Sequence, residues 1–253
     1  MSFDKMKVAK KAIQHVKAWS YSSLRSFETC PARFEREKIL KEFSPRSPIL
    51  ERGIKIHSEL EAFVRSSKPV SPELVEAESA LVGLMEHYDL IPEAEWAYTK
   101  DWQRCGWFDG VAWLRAKIDL HYYQHPQKLV VIDYKSGAHG KADDYSEQVE
   151  LYTLAGFLAN EIVTEVETQL WFVDGAISKV AFPPVTRNDL PELANRWQVR
   201  SRKIFDCDAY APNPGRHCGG CYFSAANKGP CVAGGRVPMW KTYYQKHGGI
   251  EFK

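Results

Sequence analysis

The 253-residue chain is predicted to be a mixed α/β protein in which helices pack on a small central sheet. Apolar residues follow helical spacing up to about residue 88. Runs rich in β-branched and aromatic residues begin near residue 93. Helical patterns return at 142–159 and 187–206. Helices before, between and after the strands favour helices packed around a sheet.

The composition predicts a soluble, folded chain. Apolar residues make up 44% and charged residues 26% of it, and aromatic residues are abundant, which excludes disorder. No run approaches the roughly 18 apolar residues of a membrane helix. The N-terminal residues lack the apolar core of a signal peptide. With no internal repeat and no long linker, we expect one domain over 1–253, in the cytoplasm and without a membrane partner.

Four helices are predicted in the N-terminal third. They are a short helix capped by Ser22 or Ser23, 31–40 with Pro31 in its first turn, 51–65 and 72–88. Helix 51–65 places its apolar residues on one face and His57 on a more polar one. Before them, residues 1–18 are interpreted as a basic arm.

Six strands are predicted from residue types and turn signals: 94–99, 105–109, 111–123, 128–135, 166–174 and 177–182. Residues 124–127 are interpreted as a hairpin loop between the third and fourth of these strands. The C-terminal 45 residues or so are rich in Gly, Pro and Cys and irregular. A segment of that kind needs something to fix it in place.

The predicted hairpin brings acidic side chains together. Asp119 falls opposite residues 132–134, and Asp133 and Lys135 are two apart, so they share one face of their strand. Charges on a sheet face are costly unless a ligand compensates them. Oxygen ligands of this kind suit Mg²⁺ or Mn²⁺, and a nearby lysine can position water or stabilise charge on a phosphate. An exposed ion pair on an edge strand is the competing interpretation.

Gln148 and Tyr152 lie four residues apart on the helix that follows this strand, so they share a face. A glutamine amide and a tyrosine hydroxyl on that face can orient the lysine. Taken alone, such a pair is more often an ordinary surface or core feature.

The charge is unevenly spread. Residues 1–41 hold ten Lys and Arg against four Asp and Glu, and residues 199–253 hold nine against three. Since the net charge is only +2, the middle of the chain is acidic. Basic ends around an acidic centre suggest a polyanion surface beside a cation site, although a solvated face is the simpler alternative.

The six cysteines are Cys30, Cys105, Cys207, Cys218, Cys221 and Cys231. Without a leader sequence they are expected to be thiols or metal ligands rather than disulfides. Cys218 and Cys221 form a Cys-x-x-Cys pair. Cys105 and Cys207 are expected in or near the core.

The order of these motifs resembles the RecB-like branch of the PD-(D/E)XK nuclease superfamily, which includes CRISPR-associated and bacteriophage exonucleases. The resemblance spans residues 19–231. Its motifs are the segment 19–34 with Cys30-Pro31, Gly53 to His57, Asp119, Asp133-Tyr-Lys135-Ser-Gly137, and Gln148 with Tyr152. Glu95 is the expected match for a further acid.

The resemblance implies a restriction-endonuclease-like core and metal-dependent hydrolysis of DNA. His57, Asp119, Asp133 and the Tyr134 carbonyl would hold Mg²⁺ or Mn²⁺, and Lys135 would help activate water. Exonuclease action is expected, in recombination, repair or phage DNA processing, within a bacterial cell or phage-infected host. A non-catalytic nucleic-acid-binding subunit and an enzyme on another phosphate substrate remain alternatives.

The resemblance also implies a [4Fe–4S] cluster on Cys30, Cys218, Cys221 and Cys231. It would join 19–40 and 207–235 into one subregion, and a structural zinc fits four thiolates equally well on chemistry alone.

The expected partner is DNA, single-stranded or with a free end. Trp19, Tyr21, Trp102 and Trp107 are candidates for stacking on bases, with core packing as the default. The sequence lacks a Gly-rich P-loop, so a helicase motor, or a recombination or strand-annealing partner, would be a separate chain.

Overall fold

A computed structural model describes residues 16–42, 44–137, 142–231 and 233, and the chain forms two compact units. The first unit comprises residues 17–21 and 45–201. The second comprises the described residues within 1–16, 22–44 and 202–253. Residues 1–15 of the predicted basic arm lie outside the described residues. The single-domain organisation stays a prediction.

The first unit contains a sheet of seven strands in the order β2-β1-β3-β4-β5-β6, with β7 paired to β5. Only β4 and β5 run parallel among the described strands; the other neighbours are antiparallel. The strands are β1 Ile91–Tyr98, β2 Arg104–Cys105, β3 Leu114–His125, β4 Lys128–Lys135, β5 Glu165–Phe172, β6 Ser178–Ala181 and β7 Val185–Thr186.

Six α-helices accompany the sheet in the described residues: α1 Tyr21–Thr29, α2 Pro31–Phe34, α3 Pro48–Ser66, α4 Val75–Met85, α5 Ser146–Ala159 and α6 Leu190–Phe205. None of the helices described is both long enough and apolar enough to cross a membrane. Helix α5 makes the crossover between β4 and β5, since a parallel pair cannot be joined by a tight turn.

Helices cover both faces of the sheet, and side-chain alternation along the strands decides which face each residue serves. Ile56, Leu60 and Leu81 of α3 and α4 pack on one face with a set from the strands and from the residue after β5: Leu120, Tyr122, Val130, Ile132, Tyr134, Trp171 and Val173. On the other face, Val149 of α5 packs with Leu170 and Phe172. The predicted class, a mixed sheet flanked by helices, is confirmed.

Several boundaries differ from the sequence prediction for local reasons. The helix predicted over 31–40 is α2 followed by a π-helical turn, Glu35–Ile39. Helix α4 begins only at Val75, because Pro72–Leu74 form a 3₁₀ turn. The strand predicted over 105–109 shortens to Arg104–Cys105, since Asp109 accepts from the Gly106 N–H and closes a turn. Ser22 and Ser23 lie inside α1 rather than capping it.

Trp19 belongs to the core of the first unit, which is the default that the sequence favoured over base stacking. It is 1% exposed. Its ring stacks on Trp197 at 5.9 Å and meets the edge of Trp113 at 5.4 Å.

Two isoleucines on α3 offer a matched test of the core. Ile56 is 3% exposed and Ile54 is 46% exposed. We expect Ile56→Ala to lower the free energy of unfolding by about 2–5 kcal/mol, because it leaves a cavity between helix and sheet. Ile54→Ala should change it by less than about 1 kcal/mol. Urea unfolding followed by circular dichroism measures both, and equal losses would contradict the helix orientation.

Candidate active site

The site lies in the first unit, where the pairing of β3 with β4 ends. The ladder stops at Leu120 opposite Ile132. One step beyond, the Tyr134 N–H donates to Asp119 Oδ2 at 2.8 Å. A carboxylate therefore takes the place of a backbone acceptor. It fixes Asp119 beside Asp133, as the predicted hairpin required.

Asp133, Lys135, Gln148 and Tyr152 form one hydrogen-bonded network. Lys135 Nζ contacts the Asp133 carboxylate and donates to Gln148 Oε1 at 2.8 Å. The Gln148 amide donates to Asp133 Oδ1 at 3.3 Å and to the Tyr152 hydroxyl at 2.8 Å. All four predicted residues therefore meet, and the Gln148 amide orients both the acid and the lysine.

Burial makes this network sensitive to charge. Asp133 is 4% exposed, and burial raises the pKa of its carboxyl, as does the charge of Asp119, while Lys135 opposes the shift. Burial and the charge of Asp133 likewise hold the pKa of Tyr152 far above its usual value. The Lys135 ammonium lies 4.7 Å from the centre of the Tyr145 ring. Lys135 is thus held between an acid, an amide and an aromatic face.

Three potential metal ligands converge next to this network. Ligand atoms of His57, Glu93 and Asp119 all lie within 4.8 Å of one another, the only such group in the described part of the chain. His57 Nδ1 is 3.2 Å from Asp119 Oδ1. Burial lowers the pKa of His57, but the hydrogen bond and charge of Asp119, with the charges of Asp133 and Glu93, outweigh it and raise the pKa. An imidazole among carboxylates fits a divalent cation.

Glu93 is a potential metal ligand that sequence reasoning missed. The structure brings Glu93 together with His57 and Asp119, and these three potential ligands are called the metal trio below. The expected acid, Glu95, is instead exposed and lies opposite Lys117. Glu93 has φ of 53°, a left-handed conformation that is uncommon for a glutamate. The feature that identifies Glu93 is its position opposite Asp119, and this position is known only once the register of β1 on β3 is known. The Tyr134 carbonyl and the Asp133 carboxylate stay predictions as ligands.

A separate cavity in the second unit gathers four cysteines. Cys30, Cys218, Cys221 and Cys231 all line it, together with Arg33, Arg36 and His217. Cys30 precedes α2, Cys218 lies in the 3₁₀ turn Arg216–Gly220, and Cys231 bridges to Ser224. Gly229 makes this return possible, because a Cβ there would lie 2.3 Å from the Phe223 carbonyl carbon.

Backbone N–H groups point at these sulfur atoms. Asn213 N–H donates to Cys30 Sγ at 3.5 Å, and Gly215 N–H donates to Cys218 Sγ at 3.4 Å. Burial raises the pKa of Cys221, while backbone hydrogen bonds from Phe223 and Ser224 oppose the shift. Such donors favour sulfur that carries negative charge. Cys105 and Cys207, by contrast, are half-buried rather than in the core.

Two carboxylates and a lysine meet at the ends of the neighbouring strands β3 and β4, beside a group of three potential metal ligands. The sequence profile of the PD-(D/E)XK nuclease superfamily matches residues 18–226. The chain belongs to the PD-(D/E)XK nuclease superfamily, and this assigns it a nuclease function.

One solved structure shares the fold. A crystal structure from Eubacterium rectale, named "Putative exonuclease", has a TM-score of 0.50 at 13% identity and covers 92% of this chain and 94% of its own. A second structure, of SSO0001, has a TM-score of 0.40 at 14% identity over 88% and 89%. The first of these likenesses concerns the fold alone. A search of curated proteins gives no match.

Proposed function

We propose that the chain is a metal-dependent deoxyribonuclease, and specifically an exonuclease of the RecB-like branch. The observation that carries this proposal is the buried Asp133–Lys135 pair held by Gln148 beside His57, Glu93 and Asp119. Burying a charged pair at this depth costs desolvation free energy, and a chemical role accounts for a pair that packing alone does not require. DNA, single-stranded or with a free end, is the proposed substrate.

The residues fit Mg²⁺ or Mn²⁺. One imidazole nitrogen and two carboxylates lie within 4.8 Å, and Asp133 adds a further negative charge nearby. When bound, the ion supplies a Lewis acid for the phosphoryl oxygen and lowers the pKa of a water. His57, Glu93 and Asp119 would hold it, with Asp133 as an additional acid.

Lys135 has the central part in the proposed reaction. Its ammonium, fixed by Asp133 and Gln148, donates to the attacking water or to a phosphate oxygen and stabilises the charge that develops there. The water oxygen forms a bond to phosphorus as the bond from phosphorus to the ester oxygen breaks. The water proton passes to solvent, and the leaving oxygen takes up a proton. Tyr152 holds the Gln148 amide.

Digestion of end-labelled DNA tests the proposal. We expect cleavage of single- or double-stranded DNA with Mg²⁺ or Mn²⁺ but not with EDTA, and a fall of about a thousandfold or more in Lys135→Ala, because the stabilising charge is lost. Lys128→Ala is the matched control. Lys128 lies on the same strand, is 19% exposed against 17% for Lys135, and pairs with Glu165 and Glu167 instead.

The alternative is a non-catalytic nucleic-acid-binding subunit. If the wild-type protein binds DNA and never cuts it with any metal tested, the catalytic proposal is wrong and this alternative takes its place. Cleavage of wild type and Lys135→Ala at equal rates would instead remove Lys135 from the mechanism. Products that shorten from one end in single-nucleotide steps support exonuclease action, and internal fragments contradict it.

We also propose a [4Fe–4S] cluster on Cys30, Cys218, Cys221 and Cys231. The fit rests on the shared cavity, on the N–H groups that donate to sulfur, and on His217 Nε2, a buried atom without a hydrogen-bond partner among the described residues. Hydrogen bonds to cluster sulfurs are a regular feature of such sites.

A structural zinc is the alternative on the same four cysteines, since four thiolates fit either metal on chemistry alone.

The biological setting is proposed from the family alone. DNA recombination, repair or phage DNA processing in a bacterial or phage-infected cytoplasm would supply strands with free ends. A helicase, a recombination protein or a single-strand-annealing protein would be a separate partner chain.

A further inference from the structure

The turn between β2 and β3 carries an aromatic side chain that the core does not use. Phe108 is 87% exposed and its neighbour Val111 is 64% exposed. Large apolar side chains this exposed are common singly, so exposure alone decides nothing. Two further features suggest a binding role for Phe108: the structure of the turn and the side chains that lie between it and the metal trio.

Hydrogen bonds hold the turn in one conformation. Asp109 Oδ2 accepts from the Gly106 N–H at 2.6 Å, and the Asp109 N–H donates back to the Gly106 carbonyl at 3.1 Å. The Ala112 N–H then donates to the Asp109 carbonyl at 3.1 Å. These three hydrogen bonds fix the backbone on both sides of Phe108, so an exposed ring is presented in a defined place.

A row of side chains links this turn to the metal trio. Asp119, Lys117 and Arg115 alternate along β3 and therefore share a face, covering about 14 Å. Lys117 forms an ion pair with Glu93. The hydrogen bond to Glu93 raises the pKa of Lys117, and the charge of Asp119 adds a smaller increase. At the other end, the Arg115 guanidinium lies 5.7 Å from the centre of the Trp107 ring.

Arg115 and Lys117 retain capacity for phosphate. Arg115 is half-buried, and its guanidinium has no ion pair among the described residues. The Lys117 side chain is 57% exposed although it pairs with Glu93. Cations at every second residue of a strand are about 7 Å apart, close to the phosphate spacing of an extended single strand.

We propose that a single nucleic-acid strand lies along this face of β3 and that one of its bases stacks on Phe108. The inference rests on the proposed nuclease function and names a positioning residue for its substrate. Phosphates would pass Lys117 and Arg115, and the base would meet the ring in a sequence-independent way, because every base has a π-face. Stacking on Phe108 would hold the nucleic-acid strand while the segment beyond Lys117 reaches the metal trio.

Binding measured without cleavage tests the proposal. In a Lys135→Ala background, fluorescence anisotropy of a labelled single-stranded DNA oligonucleotide gives the dissociation constant. We expect Phe108→Ala to weaken binding about tenfold and Phe108→Trp to preserve it. Ile162→Ala is the control, since Ile162 is 57% exposed and lies on neither β3 nor this turn. Thermal unfolding of each variant checks that the fold is intact.

A photo-crosslink locates the base. An oligonucleotide carrying 5-iodouracil should crosslink to Phe108, and mass spectrometry of the digest identifies the residue. If the parent protein binds no DNA, the proposed function fails. If it binds DNA but Phe108→Ala binds equally well and the crosslink falls elsewhere, only the stacking inference is overturned.

Discussion

Asp119→Asn is expected to abolish metal-dependent DNA cleavage, with a loss of about a thousandfold or more in kcat/KM. Asp119 joins the two halves of the site: Oδ1 faces His57 Nδ1 at 3.2 Å, and Oδ2 accepts from the Tyr134 N–H at 2.8 Å. Asparagine keeps the shape of the side chain and removes its charge. The loss should therefore come from metal binding and not from unfolding.

Calorimetric titration with Mn²⁺ measures directly whether the loss of activity comes from weaker metal binding. Binding should weaken strongly in Asp119→Asn and in Glu93→Gln. Glu95→Gln is the matched control, because Glu95 lies on the same strand and is exposed. Unchanged Mn²⁺ affinity in Glu93→Gln would remove Glu93 from the ligand set, and a loss in Glu95→Gln would contradict the register of β1 on β3.

Cys30→Ser is expected to remove the proposed iron–sulfur cluster and to destabilise the second unit. Anaerobically purified wild type should be brown, absorb near 400 nm or so, and contain about four irons and four sulfides per chain. Serine supplies no thiolate, and Cys30 is 7% exposed, so its loss leaves a buried cavity without its cluster. Iron, sulfide and zinc analysis together with visible absorption measures the result.

Cys207→Ser is the control for this experiment, since Cys207 is half-buried and its thiol contacts the Ala209 carbonyl instead of the cavity. It should keep the colour and the iron. A colourless wild type with one zinc per chain would overturn the iron–sulfur proposal in favour of zinc. Iron retained in Cys30→Ser would show that Cys30 is not a ligand.

Local patterns predicted the central hairpin well. The fourth predicted strand, 128–135, has the bounds of β4, Lys128–Lys135. Asp119 meets Asp133 because a tight turn fixes the register of neighbouring strands. Gln148 contacts Lys135, and Tyr152 contacts Gln148, because α5 is the next α-helix along the chain after β4. Short sequence separation made this half of the site predictable.

The other half depends on tertiary structure. The choice between Glu93 and Glu95 depends on how β1 pairs with β3 and on a left-handed residue within the strand. Both residues are glutamates two positions apart, so their identities do not predict either the strand register or the left-handed backbone at Glu93. The short pairing of β7 with β5 was missed for the same reason, since a two-residue strand has no periodicity to detect.

The cysteines show a different limit. The resemblance to the RecB-like branch implied which four belong together, and the structure places all four around one cavity. The chemistry of four thiolates fits iron and zinc alike, so the sequence left the metal open.

The two halves of the site also differ in when they can form during folding. Asp133, Lys135, Gln148 and Tyr152 lie within one strand and the helix that follows it, so their contacts close a short loop. His57, Glu93 and Asp119 come from α3, β1 and β3 and meet only after distant segments have docked. We therefore expect the lysine and its amide partner to assemble early, whereas the proposed metal ligands meet only when the chain has completed its long-range contacts.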